Sequence, residues 1–172
     1  MKNIVLVGFM GTGKSSVGRV LARHTRRQFV DLDRYIEEKE KRKIRDIFEK
    51  DGEERFRALE KDAVRRWSAA ENHVITTGGG TVVDPENLAA LKSGILITLL
   101  AKPETIYERV KHSKNRPLLK DKKDLLAEIR RLLEARRPFY EKSDFYFDTD
   151  GKSASQVARM IEHVLAQKGE LR

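Results

Sequence analysis

Apolar positions along this chain switch between two periods. Ile4-Val5-Leu6-Val7 is a continuous apolar run and predicts a buried strand. After a glycine-rich turn, Val17, Val20 and Leu21 recur on one face, which predicts a helix opening near Lys14. Gln28-Phe29-Val30-Asp31 reads as a short second strand, with helix from Asp33 onward. Ile44 to Lys50 predicts a short helix broken at Asp51-Gly52. Glu53 to about Ala70 predicts a longer one, with Phe56, Leu59, Ala63, Val64 and Trp67 as its stripe. A third strand, His73 to Thr76, runs into Gly78-Gly79-Gly80. Asp84-Pro85 then signals a helix start, with the acid as N-cap and proline at the first helical position.

Ile95 to Leu100 is the longest apolar run, as a buried parallel strand requires, and Pro103-Glu104 opens another helix. Between His112 and Asp124 the pattern dissolves into a polar stretch of the kind that forms lids or plain connections. Periodicity resumes at Leu125, Leu126, Ile129, Leu132 and Leu133, and Pro138 either ends or kinks that helix. Phe145 to Asp148 predicts the last strand. Ser153 with Gln156 spells a capping box ahead of a stripe of Val157, Met160, Ile161, Val164 and Leu165, and Lys168-Gly169 closes that helix. Strands separated by helices imply an α/β fold, a parallel sheet covered on both faces in one domain. Ligands of such sheets gather at the carboxyl ends of the strands, which puts Asp31, Thr77 to Gly80 and Ala101 near one rim.

Composition narrows the class without choosing a reaction. A chain of 172 residues, 37% charged and 39% hydrophobic, is long enough for a real core and heavily solvated outside. It has no cysteine, and its 4 histidines form no close pair, which weighs against disulfides and a histidine metal site. No apolar segment approaches bilayer length, and the start lacks a signal peptide's hydrophobic core, so no membrane contact and a cytoplasmic location are expected. The net charge of +9 raises the question of nucleic acid. The basic residues are interleaved with 27 acids, however, at helical spacings such as Glu37/Lys41. A salt-bridged surface with a few arginines kept for anionic ligands is the expectation.

The chemistry begins at Gly8-Phe9-Met10-Gly11-Thr12-Gly13-Lys14-Ser15, which has the G-x-x-x-x-G-K-S spacing of a phosphate-binding loop between a strand and a helix. Glycines let the backbone turn its N–H groups toward a polyphosphate, and the helix N-terminus adds unpaired donors. Lys14 is placed to reach the β- and γ-phosphates, and the Ser15 hydroxyl to ligate Mg²⁺. Asp31-Leu32-Asp33 puts two carboxylates at a strand end, suited to a metal and to an attacking hydroxyl, although Asp33 would serve equally as a helix cap. Gly78 to Gly80 would let backbone approach a ligand closely. Arg57, Arg116 and Arg136 offer forked guanidinium groups for a carboxylate or phosphate; a surface pair of Arg57 with Glu53 or Glu60 is equally natural.

In order, Gly8-x-x-Gly11-x-Gly13-Lys14-Ser15, Asp31-x-Asp33, Asp51-Gly52-Glu53-x-x-Phe56-Arg57-x-x-Glu60, Gly78-Gly79-Gly80, Arg116-Pro117-Leu118-Leu119 and Arg136-x-Pro138-x-Tyr140 resemble the shikimate kinase family over essentially the whole chain. The resemblance implies a five-stranded parallel sheet of the nucleoside-monophosphate-kinase type in a single domain, 1–172. A mobile lid at about 112–124 and a substrate-binding helical segment at about 33–62 go with it. It implies Mg²⁺-dependent transfer of the ATP γ-phosphoryl group to the 3-hydroxyl of shikimate, on the way to chorismate and the aromatic amino acids, by a monomer without nucleic acid.

By the same resemblance, Gly11, Thr12, Gly13, Lys14, Ser15 and Ser16 hold the phosphates, and Arg109 lies against the adenine. Ser15 and Asp31, the latter through water, serve Mg²⁺. Asp33 binds the reacting hydroxyl, Arg57 and Arg136 clamp the carboxylate beside Gly78, Gly79 and Gly80, and Arg116 closes on the transferring phosphate; Lys14, Asp33 and Arg116 are the catalytic set. Arg137 next to Arg136 leaves open which guanidinium meets the substrate, and the segment from Asp148 to Gln156 lacks the proline expected of an adenine loop. The phosphate loop alone would also fit a gluconate- or nucleotide-kinase-like enzyme, or a nucleotide-dependent module that binds RNA or protein.

Overall fold

Each apolar run predicted as a strand lies beside another in the computed structural model, which describes residues 1–112 and 124–171. The strands are β1 (Ile4–Val7), β2 (Gln28–Asp31), β3 (His73–Thr76), β4 (Ile95–Leu100) and β5 (Phe145–Asp148). They form one 5-stranded sheet in the order β2-β3-β1-β4-β5, every pairing parallel. The connecting helices are α1 (Lys14–His24), α2 (Leu32–Glu40), α3 (Ile44–Ser68), α4 (Pro85–Leu91), α5 (Pro103–Val110) and α6 (Leu125–Tyr140), with α7 (Ala154–Gln167) closing the chain. The lid segment and Arg116-Pro117-Leu118-Leu119 lie, but for its two end residues, outside the described residues.

Strand geometry divides the core in two. In β1, Val5 and Val7 face a layer built from α2 to α6, while Ile4 and Leu6 face α1 and α7. Leu96 of β4 follows the first group and Ile95, Ile97 and Leu99 the second, so an unbroken apolar run still reads as alternation once both faces are covered. Among the described residues no helix is long and apolar enough to cross a membrane.

Local signals account for several helix starts. Asp84 accepts from the N–H groups of Glu86 (2.8 Å) and Asn87 (3.3 Å) ahead of Pro85. Both halves of the Ser153/Gln156 capping box are formed, at 3.2 and 2.8 Å. The break expected at Asp51-Gly52 is a kink inside α3, where Gly52 has φ 84° and ψ 168°. Helix α6 passes through Pro138 to Tyr140, so the proline does not end it.

Three details depart from expectation. A short 3₁₀ turn spans Thr81–Val83. Met160 on the α7 stripe is 38% exposed because it lies at the stripe's margin. Glu37 pairs with Lys43 (2.9 Å) rather than Lys41, whose left-handed φ of 56° ends α2 and takes its side chain out of helical register.

Helix α1 lies close on the sheet at Gly18. A β-carbon there would sit 2.7 Å from a methyl of Thr76 and 2.8 Å from the Phe29 ring. Both neighbours belong to strands, so neither yields cheaply. Gly18→Val is expected to cost about 3 kcal/mol through overpacking. A urea titration should show a lower midpoint with unchanged slope, and an unaltered midpoint would refute this account of the α1–sheet contact.

Candidate active site

Parallel pairing brings the carboxyl ends of β1, β2 and β3 to one rim, in the registers Leu6↔Thr76 and Asp31↔Thr76. The phosphate loop leaves β1 there. Gly11 (φ 80°) and Gly13 (φ 91°) take left-handed conformations that a β-carbon would oppose. Helix α1 starts at Gly13 with no side-chain cap and no acid in its first turn, leaving its first N–H groups for an anion. The Lys14 ammonium is buried and donates to the carbonyls of Gly8 (2.8 Å) and Phe9 (2.9 Å). Thr12 Oγ1 donates to the same Phe9 carbonyl at 2.7 Å, bracing the turn.

Beside the loop, Ser15 Oγ donates to Asp31 Oδ2 at 2.5 Å. Asp31, not Asp33, caps α2, accepting from the Arg34 N–H at 3.2 Å. Asp33 is instead in the first turn of α2 and lines the cleft. A hydroxyl and a carboxylate meeting at the phosphate loop form a hard oxygen donor pair, which fits Mg²⁺. Among the described residues no group of three or more His, Asp or Glu gathers as a metal cage. Such an ion would therefore take most of its coordination from phosphate and water.

A cleft of about 830 Å³ runs from this loop toward α3 and α6. Phe48 and Phe56, with ring centroids 4.8 Å apart, form part of its wall. Arg57 presents its fork from α3, held by Glu60 (2.9 Å from Nη1) and Glu53 (3.0 Å from Nη2). Burial of this guanidinium works to lower its pKa, but Glu60 and Glu53 outweigh burial and raise it. Glu60 is buried and also accepts from Thr81 Oγ1 at 2.6 Å. A β-carbon on Gly80 would meet both terminal nitrogens of Arg57 at 3.1 Å, and one on Gly78 would meet Asp33 Oδ1 at 3.0 Å. The glycine run therefore lets Asp33 and Arg57 lie close against the backbone at this rim.

Arg136 enters from α6, 8% exposed, with its guanidinium 5.4 Å over the Phe9 ring. Its Nη1 is buried without a hydrogen-bond partner among the described residues, 3.3 Å from where a β-carbon on Gly79 would stand. Arg137 points the other way and pairs with Glu141 at 2.8 Å on the surface. Arg136 is thus the arginine at the cleft. Tyr140 donates to the Gly79 carbonyl at 2.6 Å, and burial pushes its hydroxyl up to about 12, so it remains a donor. At the loop's other side, Arg109 Nη1 donates to the Gly11 carbonyl (3.0 Å) and Thr149 Oγ1 (3.2 Å), tying the loop to the end of β5.

A family model described as shikimate kinase matches residues 10–166. The chain belongs to the shikimate kinase family. A shikimate kinase of Pelotomaculum thermopropionicum is 47% identical over 168 residues, covering 97% of each chain. One from Caldanaerobacter subterraneus is 46% identical over 162 residues, covering 94% of each. Among solved structures, the shikimate kinase from Acinetobacter baumannii in complex with shikimate superposes with a TM-score of 0.94 at 35% identity, covering 98% of this chain and 94% of that one. A gluconokinase from Sinorhizobium meliloti, at TM-score 0.61 and 17% identity over 98% of this chain and 94% of its own, shares the fold alone.

Shikimate kinase motifs thus converge on one cleft: Lys14, Ser15, Ser16, Asp31, Asp33, Arg57, Gly78 to Gly80 and Arg136 all line it. Arg109 is placed by its bond to the loop, and Arg116 lies outside the described residues. Sequence reasoning named Glu60 only as an alternative surface partner of Arg57, a pair the structure forms with Glu60 buried, and gave no role to Thr81 or Tyr140. Glu60 had a signal, because it is an acid four residues from Phe56 on the inward side of α3 and three from Arg57. Removing it in Glu60→Ala would leave Arg57 Nη1 and Thr81 Oγ1 without their acceptor, while Glu53 still holds the rest of the fork, and is expected to cost about 1–3 kcal/mol. Equal urea midpoints for the variant and the parent would show that Glu60 does not hold this cluster.

Proposed function

We propose that this chain acts as a shikimate kinase in which the ATP γ-phosphoryl group passes to the 3-hydroxyl of shikimate inside the described cleft. The activity follows from family membership; the residue assignments are our reading. The observation that carries them is the Arg136 guanidinium, buried in the cleft with one nitrogen unpartnered. Such a group is costly to bury and is repaired by an anionic ligand such as a carboxylate.

In this reading Arg136 and Arg57 grip the carboxylate and the Gly78 to Gly80 backbone lines the ring. Asp33 receives the 3-hydroxyl. Its carboxylate orients that oxygen and takes the proton as the new oxygen–phosphorus bond forms and the bond to ADP breaks. Lys14 exchanges its bonds to Gly8 and Phe9 for the phosphate oxygens, and the amides of Gly11 to Ser16 hold the rest of the chain of phosphates. Ser15 and Asp31, the latter through water, would hold Mg²⁺, which when bound would neutralise phosphate charge. Arg109 sits against the adenine. Arg116 joins the transferring phosphate from a lid at about 112–124, and 33–62 forms the substrate-binding segment of one domain, 1–172. The protein works as a monomer in the cytoplasm, where ATP is available, and without nucleic acid; the many ion pairs among its surface arginines and acids support that last point.

Coupled measurement of ADP formation with MgATP should show turnover on adding shikimate and none on adding gluconate. Arg136→Ala should raise the KM for shikimate by about 100-fold while the KM for ATP stays within about twofold. Normal shikimate kinetics in that variant would defeat the carboxylate assignment. Lys14→Met should lower kcat by about 10²–10³-fold, and parental turnover would remove Lys14 from the phosphate site.

A further inference from the structure

A second cleft, about 420 Å³, opens between α1 and the edge strand β2, lined by Arg19, Ala22, Arg23, Arg27 and Phe29. It shares no lining residue with the cleft described above. Arg19 and Arg23 are one helical turn apart on α1, so they project from the same face. The Arg19 guanidinium lies 5.4 Å over the Phe29 ring. Arg27 follows in the turn into β2.

Many described arginines face acids: Arg34, Arg42, Arg65, Arg131 and Arg137 all have carboxylate partners. Arg19, Arg23 and Arg27 have none among the described residues. Glu162 of α7, packed on the same helix, is engaged by His24 at 3.2 Å. Arg27 is the informative member. It is 7% exposed, and its Nε is buried with no hydrogen-bond partner among the described residues. Burial alone lowers its pKa, yet a guanidinium remains charged. The C-terminal dipole of α1 explains a cation at Arg23 on the surface. It does not explain a largely buried guanidinium with an orphaned Nε next to two more.

We propose that this cleft is a second anion site, which takes the phosphate monoester of a small metabolite between Arg19, Arg23 and Arg27. Three forks call for more acceptor oxygens and charge than one carboxylate offers, and a phosphate dianion has both. The small volume and the burial of Arg27 favour a compact ligand over a nucleic-acid backbone, which binds exposed cations. The site stands independently of the kinase reading, although α1 carries Lys14 and Ser15 at its other end.

Side-chain Nε–H resonances of the 15N-labelled full chain, titrated with inorganic phosphate and with glycerol phosphate at ionic strength matched by sodium chloride, test this. The Arg27 Nε–H signal should shift and saturate with both phosphates and stay in place with chloride. The Arg19→Gln/Arg23→Gln double variant, altered only at exposed positions, should bind at least about tenfold more weakly. Arg27→Met should unfold at a higher urea concentration than the parent, since a buried charge without an acceptor is lost. A merely structural Arg27 would give the opposite shift, and that result would overturn the site. So would equal responses to chloride and phosphate, undiminished binding in the double variant, or saturation by a duplex oligonucleotide where small phosphates do nothing.

Discussion

The parallel pairing of β2, β3 and β1 is the constraint on which the active cleft depends. Hydrogen bonding in that register brings Asp31, Thr76 and Leu6 level, so the segments leaving the three strands emerge at one edge. The phosphate loop, the Asp31–Asp33 segment and the Gly78–Gly80 run are 16 residues or more apart in the chain, yet each lies at or just after the end of a strand. Helices covering both faces leave this edge as the place where polar groups can face a ligand without breaking the core.

Charge within the cleft is arranged with the same economy. Lys14, Arg57 and Arg136 line it together, and unrelieved repulsion among them would weaken the fold. Each cation is handled differently. Lys14 is satisfied by loop carbonyls, Arg57 by two glutamates, and Arg136 by the face of Phe9 with one nitrogen left over. Neutral acceptors and a ring hold a cation without cancelling its charge, whereas carboxylates largely cancel it. The cleft therefore draws anions most strongly at the loop and at Arg136, while Glu53 and Glu60 fix the direction of the Arg57 fork. The arginine cleft beside β2 follows the same logic in starker form, with cation, ring and recess but no carboxylate.

Much of this protein is determined by sequence alone. Strand and helix boundaries follow from apolar period, from Asp84-Pro85 and from the Ser153/Gln156 box, because each of these acts within a few residues. The phosphate loop is equally local, since its glycines and the following helix create the anion site by themselves. What only the tertiary structure decided is which way each element faces. Whether Asp31 or Asp33 caps α2, whether Arg136 or Arg137 enters the cleft, and where Glu60 spends its charge depend on how α2, α3 and α6 lie against the sheet. The strand order and the flank where Arg27 is buried near Arg19 belong to the same class, because segments far apart in the chain meet there only once the sheet has formed.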